Sequence, residues 1–553
     1  MRGRTGEELP RDSPLLPVLA SPAMRALLLA SVCFTSLLGA LLGYDIGIVS
    51  GAIVFITKDM SLSTWQAEVV VGSLNLVSAF GALLAGSFAD RFGRKAAICL
   101  ANALFVFGTL TVVLSYGFSG LLAGRILMGF GAAYPRPRSP QHWPPPHPHP
   151  HLLRPRTHDA CACSVIPPSQ PPKCSSTHPT QCIILLFPGV GCGFVVGPLY
   201  TAELSPPERR GMFTSLFEVS IGTGILLGYL VAYVCRDMPL HIGWRVMVGC
   251  GGVPPLVSLL LLAGLPESPR FLWAAGRRQQ ARGVLQRVMD PAEVEACCEE
   301  IDASVVGAAA PRDALRALLS PRSRGVRLMV VVGLGLTVSQ QANGSEAVVY
   351  YMPAILQGAG VRGRDGLLGF TVLVGVFRTL CILAGALLVD RVGRRPLLLA
   401  STAGVAASLA LLAAGLWRST LWLTLLGLCG FMGAYAIGIG PLNMVVISEI
   451  FPFRLRAVAM SLALFLNRLV SGAVASSFLS LTEMLSAEGT ILLFAIIASL
   501  SWLFVLRRVP ETRGRSLEEM EAYFEQLADE QSQLTPLLNE RGAGNTNSRG
   551  SAR

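Results

Sequence analysis

The sequence predicts an all-α membrane protein with twelve transmembrane helices arranged as two six-helix repeats. The composition is 52% hydrophobic and 14% charged, with a mean hydropathy of +0.55, and a soluble domain needs a more charged surface than that. Apolar stretches of about 20 residues, the length that crosses a bilayer, recur along the chain. Short charged motifs also occur once in each half of the sequence.

Eleven of the twelve predicted spans are continuous apolar segments. They lie near residues 26–46, 67–89, 96–115, 213–234, 243–264, 327–350, 367–389, 396–416, 421–447, 457–480 and 489–506. The remaining span, the fourth in order, is split, because residues 119–133 and 182–202 are apolar and the sequence between them is not.

The net charge of +11 does not indicate nucleic-acid binding, because the basic residues concentrate in every second connection between spans. This positive-inside bias places those connections and both termini in the cytoplasm. The predicted organisation is an amino-terminal tail (1–24), a first half (25–264), a cytoplasmic linker (265–326), a second half (327–508) and a carboxyl-terminal tail (509–553).

Three charged motifs are repeated between the halves. DRFGRK at 90–95 matches DRVGRR at 390–395, ELSPPERR at 203–210 matches EIFPFRLR at 449–456, and PESPR at 266–270 matches PETR at 510–513. The matching motifs lie 300, 246 and 244 residues apart. The first half therefore carries about fifty extra residues between its first and second motifs.

Composition places the extra residues at 131–188. Positions 135–188 hold fifteen of the 36 prolines and six of the seven histidines, and lipid cannot replace the backbone donors that proline removes. The histidines and cysteines of this tract, His147, His149, His151, Cys161 and Cys163, fit no zinc-ligand spacing, so we predict no metal site. The tract is interpreted as an insertion within the fourth helix, either disordered or absent from the mature protein.

On these motifs the sequence resembles the sugar-porter family of the major facilitator superfamily, and within it the plant-type proton-coupled polyol and monosaccharide transporters. The resemblance covers about residues 25–133 and 189–530. It is strengthened by GYDIG at 43–47, GSEAVVY at 344–350 and NRLVSG at 467–472. The resemblance implies a sugar or sugar-alcohol cargo. A polyol is favoured because Glu346 stands where glucose carriers usually have Asn, and Met444 where the family usually has Trp.

Two ionisable residues within spans indicate function, because each costs about 2.5–3.5 kcal/mol to insert. Asp45 lies in an otherwise uncharged first helix, and Arg125 lies in the fourth. The residues alone allow either an ion pair that joins helices or a proton switch, since burial favours the neutral carboxyl and a guanidinium favours the carboxylate. The resemblance implies the proton switch.

Further polar side chains at apolar-helix positions are candidates for binding the hydroxyls of a polyol, which both donate and accept hydrogen bonds. They are Glu218, Gln340, Gln341, Glu346, Tyr350, Arg378 and Asn467. Any one of them could instead form an interhelical hydrogen bond. However, Gln340 and Gln341 with Glu346 and Tyr350 repeat the family's substrate-helix pattern.

The repeated charges at the cytoplasmic face have the composition of a gate. They are Asp90, Arg94, Lys95, Glu203, Arg210, Asp390, Arg394, Arg395, Glu449 and Arg456. The resemblance implies that they link the halves while the carrier is open to the outside. Anchoring by positive charge alone would explain the arginines but not the glutamates.

The sequence therefore predicts a proton-coupled symporter of a polyol or monosaccharide that works by alternating access. We expect a monomer in the plasma membrane or an internal membrane such as the vacuole's, whose partners are substrate, protons and lipid. No cofactor, catalytic residue or nucleic-acid partner is expected. Two alternatives stay open, namely a facilitative uniporter and a non-transporting sensor or inactive paralogue.

Overall fold

The computed structural model describes residues 22–131, 187–188, 190–204, 210–287, 291–307, 311–515 and 518–529. The histidines and cysteines considered above as metal ligands lie outside these ranges.

The first half begins with α1 (Pro22–Asp59), α2 (Thr64–Phe92), α3 (Arg94–Val113), α4 (Phe118–Gly129), β1 (Phe130–Gly131), β2 (Phe187–Pro188) and α5 (Val190–Leu204). It continues with α6 (Arg210–Val234), a 3-10 turn at Cys235–Asp237, α7 (Leu240–Cys250) and α8 (Val253–Gly264). The linker contains α9 (Pro269–Ala274), α10 (Arg278–Leu285), α11 (Pro291–Gly307) and α12 (Pro311–Leu319).

The second half begins with α13 (Arg324–Ala342), α14 (Ser345–Tyr350), α15 (Met352–Gly358), α16 (Arg364–Val392) and α17 (Arg394–Trp417). It continues with α18 (Leu421–Ile437), α19 (Ile439–Ile450), α20 (Phe453–Ala475), α21 (Phe478–Leu485) and α22 (Ala487–Arg508). Residues 518–529 form the last described helix, α23.

These helices make twelve membrane spans. Within the described residues, eleven stretches are long and apolar enough to cross a bilayer, and three of them are built from two helices each: α7 with α8, α13 with α14, and α18 with α19. The shorter apolar helix α4, followed by α5, supplies the fourth span. The predicted all-α fold of two six-helix halves is confirmed.

The fourth span is interrupted between α4 and α5. Strand β1 pairs with β2 in antiparallel orientation, with Phe130 opposite Pro188 and Gly131 opposite Phe187. The chain therefore leaves the span and returns to it at adjacent points. After the return, α5 packs against α1, α2 and α3, as a continuous fourth helix would be required to do.

We expect a variant lacking residues 131–188 to transport at least as fast as the full chain. The deletion joins Phe130 to Gly189 and lets one helix replace the two-residue strand pair, so every backbone group of the span regains an internal partner. Initial uptake rates, normalised to the amount of protein in the membrane, test this. A folded deletion variant that no longer transports would show that the tract is required.

Close helix packing positions the first helix. A Cβ atom on Gly43 would lie 1.9 Å from the carbonyl oxygen of Ile221, so only glycine allows α1 and α6 to approach this closely. The two halves meet where α2 packs on α20 and α6 packs on α16. Polar side chains on these four helices therefore lie at or near the boundary between the halves.

Candidate functional site

Asp45 and Arg125, predicted as a proton switch, form a buried ion pair within the first half. Arg125 Nη1 donates to Asp45 Oδ1 at 3.0 Å and to Oδ2 at 3.2 Å. The small cavity beside the pair is otherwise lined by aliphatic side chains and one methionine. On the neighbouring position of α1, the Tyr44 hydroxyl donates to the Met247 carbonyl at 2.7 Å and holds α1 against α7. The carboxylate therefore faces one guanidinium in an apolar surrounding.

A break in the seventh span orients the predicted substrate helix. Gly344 has φ +80°, a left-handed conformation, and a Cβ atom there would lie 2.6 Å from the Phe494 ring. The backbone N–H of Ser345 is satisfied by Asn343 Oδ1 at 3.1 Å. The bend separates Gln340 and Gln341 at the end of α13 from the polar side chains of α14.

The two glutamines are hydrogen-bonded within the protein. Gln340 Nε2 donates to the Gly440 carbonyl at 2.7 Å, and its Oε1 accepts from Asn443 at 2.6 Å and from Asn467 at 2.7 Å. Gln341 Nε2 donates to Asn467 Oδ1 at 3.1 Å. In this conformation a substrate would therefore have to bind the second N–H of each amide or replace existing partners.

Glu346 is the centre of a second buried cluster. Its Oε1 lies 2.7 Å from Arg468 Nη2, and its Oε2 accepts from Asn75 at 2.7 Å and from the hydroxyl of Ser471. Arg468 also donates to Asn467, at 3.0 Å from Nε, which joins this cluster to the glutamines. Asn75, Arg468 and Ser471 were not among the predicted site residues. Arg468 could have been recognised from the sequence, because a charged residue within a span is costly and indicates function.

Two predicted substrate residues, Glu218 and Arg378, carry polar atoms without a hydrogen-bond partner among the described residues. Glu218 on α6 is exposed, and no hydrogen-bond partner is found for it among the described residues. Buried atoms Nε and Nη1 of Arg378 on α16 and the hydroxyl of Tyr229 likewise have no partner within the described chain. Glu218 lies within electrostatic range of Arg378. An acceptor of the first half and donors of the second half thus lie near each other without a hydrogen bond between them in the described chain.

At the face predicted to be cytoplasmic, the charges of the first half form one cluster. Arg94 makes a bidentate pair with Glu203, with both N–O distances 3.0 Å, and pairs with Asp90 at 3.0 Å. Glu267 accepts the backbone N–H of Arg94 at 3.0 Å and that of Lys95 at 3.3 Å. All of these contacts are made within the first half.

The second half repeats this cluster. Arg394 pairs with Glu449 at 3.1 Å, and Glu511 accepts the backbone N–H groups of Arg394 and Arg395 at 3.1 and 3.0 Å. Burial opposes ionisation of Glu511, but the N–H donors of Arg513, Arg394, Arg395 and Thr512 outweigh it and hold its pKa below the ordinary value. Glu511 thus contributes stability that is present above that ordinary pKa and lost as the pH falls through the lowered one.

Glu267 and Glu511 were missing from the predicted gate, although both lie in a repeated motif. Among the predicted gate residues, Arg456 approaches the Phe451 carbonyl at 3.5 Å. The side chains of Arg210 and Asp390 lie outside the described part of the chain.

The halves contact each other at the face opposite these clusters. The Thr64 hydroxyl donates to Glu483 at 2.7 Å, and Glu68 accepts the backbone N–H of Ser480 at 2.7 Å. No ion pair between described side chains joins the halves at the face predicted to be cytoplasmic. The halves are therefore joined at the face opposite the two clusters.

Comparisons with known proteins agree with this architecture. A model of the family described as "Sugar (and other) transporter" matches residues 31–140 and 182–524. A relative from Arabidopsis thaliana, "Probable polyol transporter 4", is 37% identical over 509 residues, which is 91% of this chain and 86% of the relative. "Polyol transporter 5" of the same plant is 33% identical and matches 90% of this chain and 86% of its own length.

Among solved structures, the xylose transporter XylE from E. coli in a partially occluded inward-open conformation superposes with a TM-score of 0.69. It is 23% identical, and the match covers 89% of this chain and all of that chain. At this identity the likeness concerns the fold.

Proposed function

We propose, since this chain belongs to the sugar transporter family of the major facilitator superfamily, that it carries a polyol or a monosaccharide across the membrane together with a proton. The observation that carries the proposal is the buried pair of Asp45 and Arg125. Charges in an apolar surrounding are costly, so their presence within spans indicates a function, and a carboxyl beside a guanidinium can exist in two protonation states. Alternating exposure of that carboxyl would load a proton on one side and release it on the other.

The unpartnered polar atoms of Glu218 and Arg378 support a substrate rich in hydroxyl groups. A hydroxyl donates to a carboxylate and accepts from a guanidinium, so adjacent hydroxyls of one molecule can bridge the two side chains. Because Glu218 belongs to the first half and Arg378 to the second, such a substrate would favour their approach. Met444 offers no aromatic surface for a sugar ring, which favours an acyclic polyol, and similar plant proteins are named polyol transporters.

The cytoplasmic clusters support alternating access. Each holds its charges within one half in this conformation, in which the halves are joined at the opposite face. We infer that the same arginines and glutamates join across the halves when the outer side opens. Such a network of ion pairs then acts by stabilising one state more than the other.

Uptake of labelled polyols and hexoses in transport-deficient cells, with and without a proton uncoupler, tests the proposal. We expect accumulation of at least one polyol and its loss on adding the uncoupler. Uptake that equilibrates without accumulation would identify a facilitator, and no uptake of any compound would favour the non-transporting alternative.

We propose a monomer in the plasma membrane. Imaging of a tagged chain tests the location, and size measurement in detergent tests the oligomeric state.

Replacing Glu218 with Ala should raise the KM for polyol by about 10- to 150-fold, because a hydrogen bond to a charged group contributes about 1.5–3 kcal/mol. Initial-rate kinetics measure this. Glu299→Ala is the matched control, since Glu299 is exposed on α11 of the linker. An unchanged KM in a well-expressed Glu218→Ala protein would remove this residue from the binding site.

A further inference from the structure

One side chain of the first half enters the buried cluster around Glu346. Asn75 of α2 is 3% exposed, and its Nδ2 lies 2.7 Å from Glu346 Oε2, 3.0 Å from Ser471 Oγ and 3.2 Å from the Tyr350 hydroxyl. Among the described residues, it is the only first-half side chain that hydrogen-bonds Glu346 or Tyr350. Asn75 therefore connects the two halves at the level of the substrate helix.

The acceptor that Asn75 contacts pairs with an arginine and is held in place. Glu346 pairs with Arg468 at 2.7 Å, and both side chains are largely buried, with exposed fractions of 12% and 8%. Hydrogen bonds to an ionised acceptor are roughly twice as strong as those between neutral groups. The contact of Asn75 with Glu346 is thus a strong link, and its strength depends on the charge of Glu346.

The same asparagine approaches the proton site through Tyr350. Helix α14, which carries Tyr350, packs against α1, which carries Asp45. The phenol lies within electrostatic range of both Asp45 and Glu346. Because Tyr350 accepts from Asn75, its own proton can be directed to another acceptor. A change of charge at Asp45 would therefore alter the balance of hydrogen bonds that Asn75 shares between Tyr350 and Glu346.

We propose that Asn75 is the positioning residue that couples the Asp45–Arg125 pair to the substrate site, through its hydrogen bonds to Tyr350 and Glu346. This inference rests on the proposed symport. Coupling between two sites is a free energy that changes the affinity of each by the same factor, typically about 5- to 150-fold. Asn75 contacts two side chains of the substrate helix, and we expect its loss to change that factor more than it changes the substrate affinity itself.

The test compares Asn75→Ala with the parent in proteoliposomes. The measurements are proton flux per substrate, accumulation in an imposed pH gradient, exchange of labelled for unlabelled substrate, and substrate Kd at pH 5.5 and pH 8. In the parent we expect a Kd ratio between the two pH values of about 5- to 150-fold. In Asn75→Ala we expect that ratio to approach one and accumulation to fall by a larger factor than the rate of exchange does.

Asn102→Ala is the matched control, because Asn102 is a buried asparagine of the same half that bonds to Ser258 at 2.8 Å, within that half. Asn75→Ser keeps a hydrogen-bond donor and should restore part of the pH dependence of the substrate Kd. If Asn75→Ala does not fold, the same measurements are made on Asn75→Ser. A folded Asn75→Ala protein with the parent's Kd ratio and proton flux would overturn the role of Asn75 and would leave the proposed symport standing. A parent that moves substrate without protons would overturn the symport itself.

Discussion

Asp45→Asn is expected to abolish accumulation of substrate while exchange of labelled for unlabelled substrate continues. One pH unit corresponds to 1.36 kcal/mol per proton, so symport of one proton per substrate supports about tenfold accumulation. An amide cannot release a proton, and the variant should therefore equilibrate substrate to a ratio of about one. Uptake into proteoliposomes with an imposed pH gradient measures the ratio directly.

The matched control for this variant is Asp59→Asn. Asp59 is the other acid of α1; it lies at the outer end of the helix and accepts from Trp244 Nε1 at 2.9 Å. We expect this control to keep the parent's accumulation ratio. If Asp45→Asn still accumulates substrate in a manner that an uncoupler abolishes, Asp45 does not carry the proton.

Glu346→Ala is expected to destabilise the folded protein by about 3–5 kcal/mol, because it removes the carboxylate that pairs with the buried guanidinium of Arg468. The loss should appear as a lower thermal unfolding midpoint of the purified protein and as reduced abundance in the membrane. An equivalent change at the exposed Glu299 should alter stability by no more than about 0.5 kcal/mol.

A double variant separates charge pairing from lost packing volume. Glu346→Gln combined with Arg468→Gln removes both charges and keeps polar side chains of similar length, so it should unfold at a higher temperature than Glu346→Ala. The single change Glu346→Gln should fall between them. If all three variants unfold at the parent's midpoint, the ion pair contributes nothing to the fold.

Much of the architecture could be predicted because a bilayer restricts what a segment can form. A stretch of apolar residues long enough to cross must be helical, since lipid offers no partner for backbone groups. Repeated motifs then divide the spans into halves, and the split fourth span was predicted from proline content and motif spacing. Asp45 and Arg125 could be singled out for a related reason, because a charge within a span is costly and therefore informative.

The polar cluster at the centre was predicted only in part. Gln340, Gln341 and Glu346 belong to one recognisable pattern, whereas Asn75 is a single polar residue in α2. An isolated asparagine in a span is equally compatible with an ordinary interhelical hydrogen bond. Its contact with Glu346 joins residues 271 positions apart, and no local pattern encodes such a distance.

The sequence by itself determined the number and kind of spans, the two-fold repetition and the candidate charges. The tertiary structure decided which polar atoms are satisfied: those of Gln340 are bonded to the protein, whereas Nε and Nη1 of Arg378 have no hydrogen-bond partner among the described residues. It also decided that Arg94 and Arg394 pair with glutamates of their own half in this conformation. The physical reason is that a hydrogen bond requires two atoms within about 3 Å. That distance depends on how several helices pack and bend, as at Gly344, and not on their separation along the chain.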